Sequence, residues 1–207
     1  MNLLLIPDGL RRYARKNQLS NEENYVEGGR KLFNDAEYLF QKFNIIGVFP
    51  LALYNLERSS EELSALLQGG LVGLNEYVTK KSREIVIIGE TEKILQYCPD
   101  YASVLTRCKV NPHLNGCLHI PNGSLVIFLC YDGVRYLHQL FQLFSLDDVT
   151  RHLLNWNIVY RTGCERNVIR LSSTFLGIEQ AMLVGSRYLY QEQEPQMILD
   201  DLHFMMT

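Results

Sequence analysis

The chain has few of the features that mark a membrane protein, a secreted disulfide scaffold or a nucleic-acid binder. None of its apolar runs approaches the ~20 residues that a spanning helix needs. The run at residues 3–6 is too short for a signal-peptide core, and no basic region precedes it. The five cysteines, Cys98, Cys108, Cys117, Cys130 and Cys164, form no CxxC pair and no zinc-ligand spacing. Their odd number and scatter fit a reducing cytoplasm, which is the expected location. A net charge of −3 excludes the broad basic surface of a general nucleic-acid binder. No Ser–His or Cys–His arrangement points to a covalent hydrolase. The histidines are also quiet: His113 and His119 lie in a Pro- and Gly-containing stretch and read as surface or turn residues, while His138, His152 and His203 sit on expected helices with no metal-ligand or catalytic spacing in the sequence.

What remains is an ordinary globular composition, 47% hydrophobic and 21% charged over 207 residues, enough for one domain with a real core. Apolar, β-favouring runs at 2–6, 45–53, 84–88, 124–130 and 156–160 are the expected strands. Several, such as Val86-Ile87-Ile88, are apolar on both faces, which suits a parallel sheet covered by helices. Helical patterns fall at 25–43, 60–80, 91–97, 133–144, 146–154 and 196–206. The segment 60–80 opens well at Ser59-Ser60-Glu61-Glu62, but Gly69, Gly70 and Gly73 predict either a kink or a close approach in its middle. Residues 98–123 read as a helix fragment followed by a long connection. This alternation predicts an α/β domain spanning 1–207, with a mostly parallel sheet flanked by helices.

Chemistry gathers at the ends of the expected strands, where open α/β sheets bind ligands. The N-terminal stretch MNLLLIPDGLRRYARKN places Asp8-Gly9 between a buried strand and a basic helix carrying Arg11, Arg12, Arg15 and Lys16. Backbone N–H groups at a helix start favour an anion, and arginine forks match diphosphate oxygens. An Asp beside them is suited to a hard cation. The alternative is that Asp8 only caps the helix. Asn55 and Arg58 follow the second strand. Arg161-Thr162-Gly163 follows the strand at 156–160, with Arg170 and Ser172 beyond it. A faint internal echo, LLLIPDGLRRY and VIFLCYDGVRY, is explained by a common strand-to-helix turn.

Taken in order, LLLIPDGLRRYARKN, NLERSSEELSALL at 55–67, EIVIIGE at 84–90, YRTG at 160–163 and RLSS at 170–173 resemble the cis-prenyltransferases, the undecaprenyl diphosphate synthase family. The resemblance implies a Mg²⁺-dependent enzyme of isoprenoid diphosphates, acting in the cytoplasm as a homodimer. Asp8 would be the metal ligand and would assist departure of the allylic diphosphate. Gly9, Leu10, Arg11 and Arg12 would bind that diphosphate. Asn55 would sit near the reacting centre and Arg58 would orient the first substrate. Arg161, Arg170 and Ser172 would hold a second diphosphate, and Leu63, Leu66 and Leu67 would line the prenyl tunnel unless they are plain core.

The sequence also departs from the family pattern. DGNGRW becomes DGLRRY, so Leu10 and Arg11 replace Asn and Gly. The family's Arg and His before the next helix align with Asn21 and Tyr25, so one anchor is missing and Arg11 stands in for its charge. The chain is longer than the pattern between Gly163 and Arg170, which blurs the alignment of Glu165 and Arg166. The family's metal-binding Glu falls near Leu183, with Glu179 off register. The family's basic, glycine-containing tail has no counterpart up to Thr207. These changes are similar to the small-product, lavandulyl-type branch. They imply ionisation of dimethylallyl, geranyl or farnesyl diphosphate followed by branched condensation or cyclisation. The alternatives are ordinary short-chain elongation with isopentenyl diphosphate, or a non-catalytic partner subunit.

Overall fold

Leu3 and Leu5 point into one buried cluster, with Leu32, Phe33, Leu67 and Leu74. Leu4 and Ile6 point into another, with Phe128, Tyr136 and Trp156. A strand buried on both faces is the centre of a layered α/β structure, and the computed structural model has that form. It describes residues 1–80, 83–115, 119–145, 147–149, 155–163 and 181–206.

The strands are β1 (Asn2–Ile6), β2 (Ile45–Ala52), β3 (Ile85–Ile88), β4 (Lys109–Val110), β5 (Leu125–Tyr131), β6 (Ile158–Arg161) and β7 (Met182–Gly185). They form one seven-stranded sheet in the order β4-β3-β5-β2-β1-β6-β7, and every pairing is parallel. The helices are α1 (Leu10–Asn17), α2 (Asn21–Leu39), α3 (Ser60–Lys80), α4 (Thr91–Tyr97), α5 (Tyr101–Leu105), α6 (Gly133–Leu143) and α7 (Pro195–Met206). The connection after β1 leads to β2 on one side, whereas that after β6 leads to β7 on the other. The carboxyl ends of β1 and β6 therefore meet at a topological switch point, where such sheets leave a crevice.

The expected α/β class is the fold observed, and the five expected strands all lie in the sheet. Two further strands carry little sequence signal: β4 has two residues beside Val86 and Ile87, and β7 has four at the sheet edge beside β6. Helix α2 begins earlier than the periodicity predicts because Ser20 caps it, its Oγ accepting from Glu23 N at 3.2 Å. Most of the helix expected at 146–154 lies outside the described residues.

Helix α3 is continuous, and its glycines serve close approach. A Cβ on Gly69 would stand 2.4 Å from Tyr25 C, one on Gly73 2.5 Å from Gly29 C, and one on Gly29 2.4 Å from Gly69 O. The backbones of α2 and α3 touch where a methyl group would separate them. On β2 the register with β5 shifts between Val48 and Leu51. Pro50 lies in that interval, has no N–H for a ladder bond, and faces the site described next.

Candidate active site

The site begins at the turn from β1 into α1. Gly9 takes φ 103°, a left-handed conformation that disfavours other residues, and stands at the cap position of α1. The first helical bond runs from Tyr13 N to Gly9 O at 2.9 Å, and no side chain caps the first turn. Gly9 rather than Asp8 is therefore the cap, which corrects the capping alternative. The Asp8 carboxylate accepts Gly9 N through Oδ1 at 2.6 Å and Arg161 Nη2 through Oδ2 at 2.6 Å. Arg12 Nη2 lies 3.8 Å from Oδ1.

The echoed motif at Asp132-Gly133 supplies an internal control. There Asp132 is the cap of α6, and its Oδ1 accepts from Val134 N at 3.0 Å and Arg135 N at 3.2 Å. One Asp-Gly turn uses its carboxylate to close a helix. The other leaves the cap to Gly9, with no side chain on the first turn, and turns its carboxylate towards arginines.

The end of β6 locks the Asp8 turn. Asp8 N donates to Thr162 Oγ1 at 2.9 Å, and that hydroxyl donates to Asp8 O at 2.8 Å. Arg12 Nη2 donates to Gly163 O at 2.6 Å. Gly163 has φ 67°, and a Cβ there would stand 2.6 Å from Arg12 Nη2. A third segment closes over the turn: Tyr190 N donates to Asp8 O at 3.2 Å, and Leu189 packs against Gly9.

A pocket of about 380 Å³ opens beside this turn, bordered by Asp8, Gly9, Leu10, Arg11, Arg12, Arg15 and Arg58, with Tyr25 on its α2 side. Glu62 balances part of the charge: its Oε1 accepts from Arg58 Nη1 at 2.8 Å and from Tyr25 Oη at 3.0 Å, and Arg11 Nε lies 3.7 Å away. Burial pushes the Tyr25 hydroxyl up to about 12, against the opposing pull of Arg58. Tyr25 is thus neutral at pH 7 and free to donate to the carboxylate.

Below the arginines lies a second, apolar cavity of about 50 Å³ between the sheet, α2 and α3, reached by Leu10, Leu32, Leu66, Leu67 and Leu74. Tyr101 borders it and donates from Oη to Leu67 O at 3.0 Å. Leu66 and Leu67 of the expected tunnel leucines face this cavity, while Leu63 belongs to the surrounding core.

Asp8, Gly9, Leu10, Arg11, Arg12 and Arg58 thus share one pocket, with Arg161 joined through Asp8. Asn55 is placed differently. It is buried in a short 3-10 turn after β2, its Oδ1 accepts from Ala52 N at 2.9 Å, and it does not border the pocket. Arg170, Ser172, Glu165, Arg166 and Glu179 lie outside the described residues. Leu183, near which the resemblance puts the family's Glu, is on β7 and 46% exposed. Arg15 and Tyr25 also border the pocket, although the sequence assigned neither a binding role. Arg15 follows Arg11 by one helical turn and so shares its face, a signal present in the sequence. Tyr25 aligns with a family anchor, but its place in the pocket depends on the α2–α3 contact and leaves no local trace.

His113 lies in a turn, one of the two expected settings, but not at the surface. It is 1% exposed in the turn after β4, with Nδ1 2.7 Å from Tyr136 Oη, and burial pushes it down to about 4.

The donor set can be tested against Mg²⁺. No cluster of three or more His, Cys, Asp or Glu side chains occurs among the described residues. The Asp8 side chain is 40% exposed and borders the pocket. A single accessible carboxylate suits Mg²⁺, which is commonly held by one or two carboxylates, waters and substrate phosphates.

No protein-family model matches the sequence. Over 77 residues the chain is 35% identical to the tritrans,polycis-undecaprenyl-diphosphate synthase (GGDP specific) of Sulfolobus acidocaldarius, a match covering 36% of this chain and 29% of that enzyme's length. The fold is similar to that of lavandulyl diphosphate synthase from Lavandula x intermedia, solved in complex with dimethylallyl diphosphate. The TM-score is 0.73 and the identity 17%, covering 98% of this chain and 93% of that one. The chain therefore has a divergent, cis-prenyltransferase-like fold.

Proposed function

We propose that this protein is a prenyltransferase that ionises an allylic isoprenoid diphosphate in the arginine-lined pocket and directs the cation to a short-chain product. The observation that carries this reading is the Asp8 carboxylate, kept off the helix cap and set between Arg12 and Arg161 beside a helix start with no side-chain cap. Both similar proteins named above are prenyl diphosphate synthases, which supports the same reaction class.

The leaving diphosphate would lie against the first turn of α1, where the helix dipole and unpaired amides favour an anion. Arg11, Arg12, Arg15 and Arg58 supply charge fixed before reaction, the form of stabilisation that contributes most where charge develops on a leaving group. Arg161 holds Asp8 in place and stands ready to meet a second diphosphate, together with Arg170 and Ser172. Mg²⁺, when bound, neutralises diphosphate charge, and Asp8 is the residue that would hold it.

The apolar cavity supports a small product. At about 50 Å³ the cavity as it stands is small, and a five-carbon tail would enter it by displacing part of its leucine lining. Branched condensation or cyclisation of one or two short units suits so small a space better than repeated elongation. We further propose a cytoplasmic homodimer as the working form. The resemblance puts the family's metal-binding Glu near Leu183, an apolar residue on β7, and that departure favours a non-catalytic partner subunit instead.

Product analysis tests these readings. Purified protein is incubated with dimethylallyl, geranyl or farnesyl diphosphate, with and without isopentenyl diphosphate, in Mg²⁺ or EDTA, and products are identified by mass spectrometry. A product from one allylic diphosphate alone supports self-condensation or cyclisation. A product that requires isopentenyl diphosphate supports elongation. No turnover of any allylic diphosphate with Mg²⁺ favours the partner subunit.

A further inference from the structure

The cationic pocket and the apolar cavity share Pro7, Leu10, Tyr25, Pro50 and Leu66. Among these shared residues Tyr25 alone has a side chain able to donate a hydrogen bond. A prenyl diphosphate with its head among the arginines and its tail in the cavity would place its reacting carbons at this boundary. The cation left when two prenyl units join becomes an alkene only by losing a proton, so an acceptor is needed there.

The hydroxyl of Tyr25 is held from two sides. It donates to Glu62 Oε1 at 3.0 Å and accepts from Arg58 Nη1 at 3.0 Å, while Arg58 also donates to the same Glu62 oxygen at 2.8 Å. The backbone of Tyr25 is fixed as well, because α3 meets it at Gly69 with no room for a methyl group. Tyr25 is 3% exposed, and Glu62 stands behind it on α3 with 18% of its side chain accessible. The result is a rigid hydroxyl at the cavity mouth with a carboxylate behind it.

We propose that Tyr25 and Glu62 form the proton relay that ends the reaction. The inference rests on the allylic diphosphate reading above. In the first step the allylic C–O bond breaks and its electron pair leaves with the diphosphate. The double bond of a second prenyl unit then supplies the pair for the new C–C bond, which leaves a tertiary cation. A C–H bond next to that cation breaks and its pair becomes the product's double bond. The proton passes to Tyr25 Oη as the tyrosine's own proton passes to Glu62 Oε1. Tyr25 ends neutral and Glu62 ends protonated, so no oxidant or further reactant is required. Exchange with solvent at the partly accessible carboxylate resets the pair.

The test compares the wild type with Tyr25→Phe and Glu62→Gln on the allylic diphosphate that the wild type consumes. Diphosphate release and product identity are measured on the same samples. Tyr25→Phe keeps the ring and removes the relay oxygen, which is also the oxygen that accepts from Arg58 Nη1, so the readout is the fate of the cation per diphosphate released. On that scale the ratio of coupled product to water-quenched prenyl alcohol is expected to fall on the order of 10²-fold, the usual scale of general-base contributions. Glu62→Gln is expected to shift the ratio the same way and keeps the test open should Tyr25→Phe fail to fold. An unchanged ratio in either folded variant overturns the relay and leaves the diphosphate reading intact. Equal loss of release and product in Tyr25→Phe also overturns it, since Tyr25 then acts in ionisation. A wild type that releases diphosphate from no allylic substrate overturns both.

Discussion

Arg161 Nη2 lies 2.6 Å from Asp8 Oδ2 and joins the carboxyl ends of β6 and β1 at the sheet's switch point. Their Cα neighbours in register are Ile6 and Arg161, so the pair spans adjacent strands. Replacing Arg161 with Leu leaves Asp8 without its nearest cation and removes a donor from the diphosphate site. Hydrogen bonds to charged groups contribute about 1.5–3 kcal/mol, so KM for the allylic diphosphate is expected to rise roughly 10- to 100-fold. Steady-state kinetics of Arg161→Leu checks this. An unchanged KM would make Arg161 a purely structural residue.

Gly163 separates backbone strain from arginine placement. Gly163→Ala forces a side chain into φ 67° and pushes a methyl group to 2.6 Å from Arg12 Nη2. A stability loss of about 1–2 kcal/mol follows from the left-handed conformation. Asn tolerates that conformation better, so Gly163→Asn is expected to recover part of the stability. It should not recover diphosphate affinity, because its Cβ still displaces Arg12. Denaturant melts and equilibrium binding of inorganic diphosphate to both variants give the two readouts.

Gly69 and Gly70 are neighbours with different tasks. Gly69→Ala places Cβ 2.4 Å from backbone of Tyr25, and α2 and α3 must part. The expected cost is about 1–3 kcal/mol, as for other overpacked sites. A Cβ at Gly70 meets only Tyr101 Oη, at 2.8 Å. There the gain in helix propensity, about 1 kcal/mol, offsets displacement of one hydroxyl. Thermal unfolding should show a clear fall for Gly69→Ala and little change for Gly70→Ala.

These glycines also mark what was legible in the sequence. The strands buried on both faces, such as Ile85–Ile88, announced themselves as apolar runs because a covered parallel sheet demands them. The break at Gly69, Gly70 and Gly73 was visible, but its meaning depended on Tyr25 and Gly29, some forty residues earlier in the chain. Strand β4 exists because Lys109 and Val110 meet an open sheet edge, and two residues leave no periodicity. At the site, Asp8, Arg11, Arg12 and Arg58 could be chosen from the Asp-Gly turn and the strand ends. Asn55 could also be chosen, and its Oδ1 closes its own turn. Sequence spacing does not reveal such a bond to the backbone. His113 looked like a surface residue because Pro112 and Asn115 surround it, whereas burial is set by the distant Tyr136.

His113 links stability to pH. Its folded-state value, pushed down to about 4 by burial, lies below the unfolded ~6.5. The unfolded state therefore binds the proton more readily. The stabilisation is fully present above pH 6.5 and is lost as pH falls towards 4, by about 3 kcal/mol over that window. Denaturant titrations between pH 7 and pH 4 should show this fall, and His113→Leu should have a flatter profile over the same range.

The central claim is that Asp8 serves the chemistry of an allylic diphosphate and not the capping of α1. The most direct measurement is Mg²⁺-dependent diphosphate release from dimethylallyl diphosphate by the wild type and by Asp8→Ala, with circular dichroism on both. The expected result is release by the wild type that EDTA stops, loss of release in Asp8→Ala, and an unchanged fold in the variant because Gly9 already caps the helix. Release at the wild-type rate by Asp8→Ala would contradict the claim, as would a variant that loses its helical signal along with its activity.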